Sequence, residues 1–228
     1  MKSTAILIPA RFGSTRFPGK PLELLDGVPM VKRVYNACKA TGIDTYVLTD
    51  DMRIFKLFDA HNCWIDETDY ANGTERCAGA ITNDFFNKYN KFINVQGDMP
   101  DVTAELIDKC HTLLNYYPVS TVYAEMPKED QDDPNTVKCV HASEYALWFG
   151  RGITGYGSWH LGVYGYRRDA LQLYPTLSVT EEETIEQLEQ LRWLKNGWQI
   201  GINPVYYNGT EINTPRDINT WHKKKSYQ

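Results

Sequence analysis

Between Ile8 and Pro21 the chain places Arg11, Arg16 and Lys20, the hydroxyls of Ser14 and Thr15, and Gly13 and Gly19, with no acid among them. Such a loop after a strand can fold backbone N–H groups and cations around a phosphate chain, whose oxygens need donors and countercharge together. It is not a Walker loop, because Pro21 follows Lys20, nor is it G-x-G-x-x-G. A second cluster, NVQGDMP at 94–100, ends an apolar run in a glycine and an acid. Asp98 there is placed to hold Mg²⁺ opposite a phosphate loop, and Gln96 points the same way if the strand alternates to its end. A cap on the helix starting near Thr103 is the other reading of Asp98. In NGTERCAG (72–79), Gly73 and Thr74 form a possible helix cap. Arg76 in the first turn opposes the helix dipole, so it suits anion binding better than stability.

Further along, IEQLEQLRWL (185–194) carries an apolar stripe of Ile185, Leu188, Leu191 and Leu194. Glu186, Gln187, Glu189, Gln190 and Arg192 fall on other faces, which the polarity of a helix surface explains. His111, His141 and His160 are isolated histidines of the kind usually structural or exposed. INTPRDI (212–218) reads as a helix start, with Thr214 before Pro215 at the first helical position.

The elements that must position these residues follow from periodicity. Strands are expected at 4–8, 45–50, 63–67 and 91–98, and helices at 29–40, 51–61 and 74–89. This alternation indicates βαβ units and a doubly wound, mostly parallel α/β sheet. Ligands sit at the carboxyl ends of the strands of such sheets. After a helix from Ala104 to Tyr117, strands at 119–126, 137–141, 145–149 and 161–167 are joined by turns, which predicts a β-rich lobe at about 119–167. Residues 150–162, with five glycines, read as a loop. A helix over 180–196, a strand near 198–205 and a last helix from Pro215 complete one domain spanning 1–228.

Composition bounds the partners. The 228 residues are 42% hydrophobic and 13% aromatic, which is globular rather than disordered, and the net charge of −5 gives no general attraction for nucleic acid or anionic membrane. Any polyanion must therefore be met by a local basic site. Five scattered cysteines, none spaced C-x-x-C, fit a reduced cytoplasmic protein better than a zinc cluster or a disulfide framework. The opening MKSTAILIPA is too soon interrupted to act as a signal peptide, and no run reaches the roughly 20 apolar residues of a membrane span.

Taken together, IPARFGSTRFPGKPL, NGTER, NVQGDMP, LGVYGYR, LEQLR and the TP.D pattern at 214–217 resemble the 3-deoxy-D-manno-octulosonate (Kdo) cytidylyltransferases. The resemblance covers most of the chain. It implies a Mg²⁺-dependent reaction of CTP with a 2-keto sugar acid to give a CMP-sugar and pyrophosphate, for lipopolysaccharide or a related glycan, by a cytoplasmic homodimer. By that resemblance Arg11 and Lys20 neutralise the triphosphate and Ser14 and Arg16 complete its loop. Backbone at Ala10 and Arg11, with Gly73 and Thr74, frames the cytosine, and Asp98 binds the metal. Arg76, Gln96, His160, Tyr164, Glu189 and Gln190 line the sugar pocket.

Three positions depart from the family pattern. Met99 replaces an acid after Asp98. Asn213 stands where the family has a second metal-binding aspartate; an amide oxygen can still coordinate Mg²⁺, but less strongly than a carboxylate. The loop 150–162 is short, with Trp159 in place of an arginine. That loop makes an amino-Kdo or another nonulosonate-like acid an alternative acceptor, and Asn213 makes a binding protein with impaired turnover a further alternative.

Overall fold

A computed structural model describes residues 3–13 and 17–226. Ser14, Thr15 and Arg16, three of the loop residues singled out above, lie outside the described residues. The chain divides into two compact units, one of Met1–Ala104 with Asn208–Gln228 and the other of Glu105–Tyr207. The β-rich lobe expected at 119–167 falls within the second.

The first unit opens with β1 (Ser3–Ala10), whose Ala5–Ile8 side chains are fully buried. A small hairpin of β2 (Leu24–Leu25) and β3 (Val28–Pro29) leads into α1 (Met30–Lys39), which buries Val31, Val34, Tyr35 and Cys38 as its period requires. Then come β4 (Asp44–Thr49), α2 (Met52–Phe55), β5 (Cys63–Ile65), α3 (Gly73–Ala80) and β6 (Tyr89–Val95). The strands lie in the order β5-β4-β1-β6, and every pair is parallel.

Two expected helices are shorter than their patterns. After α2 the chain continues in i→i−3 bonds, from Leu57 N–H to the Ile54 carbonyl and from Phe58 N–H to that of Phe55. Ile54 and Phe58 are both buried, so two successive turns satisfy the i, i+4 spacing that reads as a longer helix. The helix expected over 74–89 ends at Ala80. Asn83 then accepts a hydrogen bond from Phe85 N–H and starts a single 3₁₀ turn at 84–86, a local side-chain bond that competes with helix.

The second unit holds α4 (Ala104–Leu113) from its second residue on, β7 (Val119–Ala124), β8 (Lys138–Ala142), β9 (Tyr145–Gly150), β10 (Ser158–Arg167), α5 (Arg168–Leu173), α6 (Glu181–Glu186), α7 (Leu191–Lys195) and β11 (Ile200–Pro204). Its strands are antiparallel except for the parallel β7–β11 pair. The glycine-rich stretch 150–162 is loop only at 151–157, because Gly150 closes β9 and Ser158 opens β10. Trp159 is thus a strand residue, buried against Tyr207 with ring centroids 5.3 Å apart. The helix expected over 180–196 is broken in two, since Gln187 turns left-handed (φ 53°) at the end of α6. Ile185, counted in the apolar stripe, is exposed, while Gln190 and Arg192, assigned to outer faces, are buried.

The chain returns to the first unit with α8 (Pro215–Ser226). Trp221 of this helix is buried with Phe17, Leu25, Met30 and Ile212. Among the described residues no helix is long and apolar enough to cross a membrane. All five cysteines are buried and none is in a disulfide. Burial pushes the Cys38, Cys63, Cys110 and Cys139 thiols up to about 12, so these four are packing residues rather than nucleophiles.

Candidate active site

In the first unit the expected site residues gather at the ends of β1 and β6. Beyond Ala10 the chain leaves β1 through Arg11, which is exposed. The loop is closed by Gly19 N–H donating to the Phe12 carbonyl at 3.1 Å and anchored by the buried ring of Phe17. Gly19 takes a left-handed conformation (φ 75°), which glycine adopts without steric cost, and Lys20 begins a 3₁₀ turn. The Lys20 ammonium then reaches Asp98, with Nζ 2.7 Å from Oδ2. The carboxylate of Asp98 is therefore engaged with a cation and does not cap α4.

Gly97, just before Asp98, sits where a Cβ would lie 3.3 Å from the Pro9 carbonyl oxygen. The glycine lets the turn after β6 close onto the end of β1. Met99, in the place of the family's acid, is fully buried. The backbone carbonyl of Asp98 accepts from Ile212 N–H at 3.0 Å, which brings Asn213 to within one residue of the Asp98 turn.

The start of α3 is capped by Asn72, whose side chain accepts from Glu75 N–H at 2.9 Å. The cap is thus Asn72 rather than Gly73 and Thr74, which lie inside the first turn of a helix packed against β1. Arg76 is buried, with one guanidinium nitrogen 3.1 Å from Asp50 Oδ2 and another 3.0 Å from the Asp66 carbonyl. As placed it braces the site, and it can grip a sugar carboxylate only by exchanging these partners. Asp50 is the residue that sequence reasoning missed. Its other oxygen accepts from Phe12 N–H at 3.1 Å, so one carboxylate ties the backbone of the loop after β1 to α3. The signal was an acid directly after the apolar run of β4, the same pattern that drew attention to Asp98.

The second unit brings together a separate set. The His160 Nε2 lies 3.0 Å from Thr121 Oγ1, and that hydroxyl donates to the Val163 carbonyl at 2.8 Å. A hydroxyl has one proton to give, so Nε2 carries the ring proton and Nδ1 is left as an acceptor. Burial drives the His160 pKa down to about 3, so the ring is neutral. Tyr164 donates its hydroxyl to Gln190 Oε1 at 3.2 Å. The Gln190 Nε2, fully buried, has no hydrogen-bond partner among the described residues. An orphaned buried amide is costly unless something completes it. Glu189 is half-buried beside it, its backbone carbonyl accepting from the Tyr174 hydroxyl. The position of Gln190 follows from the break at Gln187, after which Arg192 turns inward to clasp Glu183 with nitrogen–oxygen distances of 2.7–3.1 Å.

Among the described residues no group of three or more His, Cys, Asp or Glu side chains could hold an ion alone. A single carboxylate fits Mg²⁺ nonetheless, because that ion is usually held by one or two carboxylates plus substrate phosphates. The pairing of Asp98 with Lys20 shows that the position already draws positive charge.

A sheet of parallel strands, with a basic loop beyond one strand and carboxylates beyond its neighbours, has the layout of an α/β nucleotide-binding protein. Residues 5–212 match the cytidylyltransferase family, and the chain belongs to it. The 8-amino-3,8-dideoxy-manno-octulosonate cytidylyltransferase of Shewanella halifaxensis is 37% identical over 234 residues, covering 95% of this chain and 96% of that protein. Its counterpart in Shewanella loihica is 36% identical with the same coverage. A solved structure of CMP:2-keto-3-deoxy-manno-octonic acid synthetase complexed with CTP matches with a TM-score of 0.87 and 30% identity over 99% of both chains. The inositol-1-phosphate CTP transferase of T. maritima, at 14% identity and a TM-score of 0.70, shares the fold.

Proposed function

We propose that this cytidylyltransferase moves CMP from CTP to the anomeric hydroxyl of a 3-deoxy-manno-octulosonic acid, Kdo in the first instance. The supporting observation is the Lys20–Asp98 pair at 2.7 Å, which we read as a phosphate cation and a metal carboxylate brought together beyond the ends of β1 and β6. The sugar oxygen bonds to the α-phosphorus as the bridge to the β-phosphate breaks, pyrophosphate departs with that electron pair, and the hydroxyl proton passes to solvent water. The chain's part is positioning and charge. On binding, Lys20 exchanges Asp98 for phosphate oxygens, with Arg11, Ser14 and Arg16 completing the loop. Ala10, Gly73 and Thr74 present backbone to the base. Asp98 and Asn213 would hold Mg²⁺, which would polarise the α-phosphate and acidify the attacking hydroxyl. Arg76, Gln96, His160, Tyr164, Glu189 and Gln190 are assigned to the sugar, the unpartnered Gln190 amide and the His160 Nδ1 offering a donor and an acceptor.

A second reading, with the 8-amino sugar as acceptor, is favoured by the names of the relatives that share 36–37% of their residues with this chain. Pyrophosphate release from CTP and Mg²⁺ with each sugar, followed by mass spectrometry of the product, separates the two. A kcat/KM at least tenfold higher with the 8-amino sugar would replace Kdo as the acceptor. CTP binding without product from either would leave a binding protein. A cytoplasmic homodimer supplying lipopolysaccharide synthesis belongs to the same proposal, and light scattering in solution tests the dimer.

A further inference from the structure

Asp101, three residues beyond Asp98, is not among the residues assigned to substrate or metal, yet three groups converge on it. Its Oδ1 accepts from Trp221 Nε1 at 3.0 Å and lies 3.2 Å from Lys225 Nζ, both on α8. Its Oδ2 accepts from Thr210 N–H at 3.2 Å. Two residues further along, Ile212 N–H bonds the Asp98 carbonyl. The segment 210–212 is thereby pinned at two points to the turn that carries Asp98.

The other end of that segment is held by α8. Asp217 Oδ2 accepts from the N–H groups of Asn213 and Thr214 at 2.8 and 2.7 Å. Lys224 donates to the Gly209 carbonyl at 3.0 Å, and Ile212 and Trp221 are buried in one cluster. Turn, segment and helix therefore form a closed triangle, with Asn213 on the side between Ile212 and Asp217.

We propose that Asp101 is a positioning residue that locks α8 and the 208–214 segment onto the Asp98 turn, and so sets where residue 213 stands relative to the Asp98 carboxylate. The proposal rests on the reading of residues 98 and 213 as the metal position. A weakly coordinating amide has more need of exact placement than a carboxylate, which supplies charge as well as geometry.

The test compares the native protein with Asp101→Asn and Trp221→Phe, which keeps the ring but removes the indole donor. Amide hydrogen exchange in the absence of ligand reads the lock directly, and both variants should exchange faster at 210–214 while α1 is unchanged. Mn²⁺ titration by electron paramagnetic resonance in the presence of CTP should show affinity falling by roughly tenfold, with kcat at saturating Mg²⁺ within about twofold of native. In an Asn213→Ala background Asp101→Asn should add nothing to the loss, because coupled residues are non-additive. Unchanged exchange in both variants, or an equal loss of Mn²⁺ affinity with and without the residue 213 side chain, overturns the proposal. Should Asp101→Asn fail to fold, Trp221→Phe decides. If native protein with CTP binds no Mn²⁺, the metal reading itself fails, and the exchange result still judges the lock.

Discussion

Lys20 and Asp98 neutralise each other before any substrate arrives, and each side chain is only 15% exposed. The intact pair adds little net stability to the fold, since at that burial the desolvation of the two charges offsets most of their attraction. In the proposed reaction its components act on the charge that develops on phosphate. Asp98→Asn is expected to lower Mg²⁺-dependent pyrophosphate release by on the order of 100-fold or more while the thermal midpoint moves by a few degrees; retained turnover would remove the residue from the metal position. Asn213→Asp restores a carboxylate next to the Asp98 turn and should lower the Mg²⁺ concentration for half-maximal rate by about tenfold. A titration with an unchanged midpoint would show that residue 213 does not reach the ion. Asp50 acts differently, holding Phe12 N–H with one oxygen and Arg76 with the other, so its role is in the shape of the loop.

At the scale of elements, the break between α6 and α7 places the second unit's polar set. Gln187 ends α6 in a left-handed conformation, and the bend lets Arg192 meet Glu183 in a buried bidentate pair. Removing one partner strands a buried charge, so Arg192→Met should cost roughly 3 kcal/mol in urea unfolding. Adding Glu183→Leu to that variant should recover much of the loss, because the remaining charge is gone. An equal loss in single and double variants would show that packing, and not the unpaired charge, dominates. Gln187→Gly should stabilise by about 1 kcal/mol, since glycine meets no Cβ penalty at positive φ.

For the whole molecule, the buried neutral His160 sets an acid limit. Its pKa is about 3 in the folded protein against 6.5 ordinarily, so below pH 6.5 the unfolded chain binds the proton and the folded chain does not. Stability is full above pH 6.5 and declines as pH falls toward 3, with a slope of up to about 1.4 kcal/mol per pH unit from this group. Denaturant unfolding from pH 7 to pH 4 should show that slope, and His160→Gln should flatten it. A variant with the native slope would assign acid sensitivity to other groups.

The sequence by itself determined the βαβ order of the first unit, the positions of Arg11 and Asp98 just past strand ends, and the cytidylyltransferase family, because period-2 and period-3.6 patterns and contiguous motifs are local. Boundaries were less legible. Ile54 and Phe58 satisfy a helical spacing with two separate turns, and Gln190 and Arg192 read as residues of a solvent-facing helix side until the chain bends at Gln187. Only the tertiary structure decided that Asp50 joins Phe12 to Arg76, that Glu183 faces Arg192, and that Asp101 gathers Trp221, Thr210 and Lys225. Hydrogen bonds between residues up to 120 positions apart depend on which strand ends the fold makes neighbours, and a linear pattern carries no term for that distance.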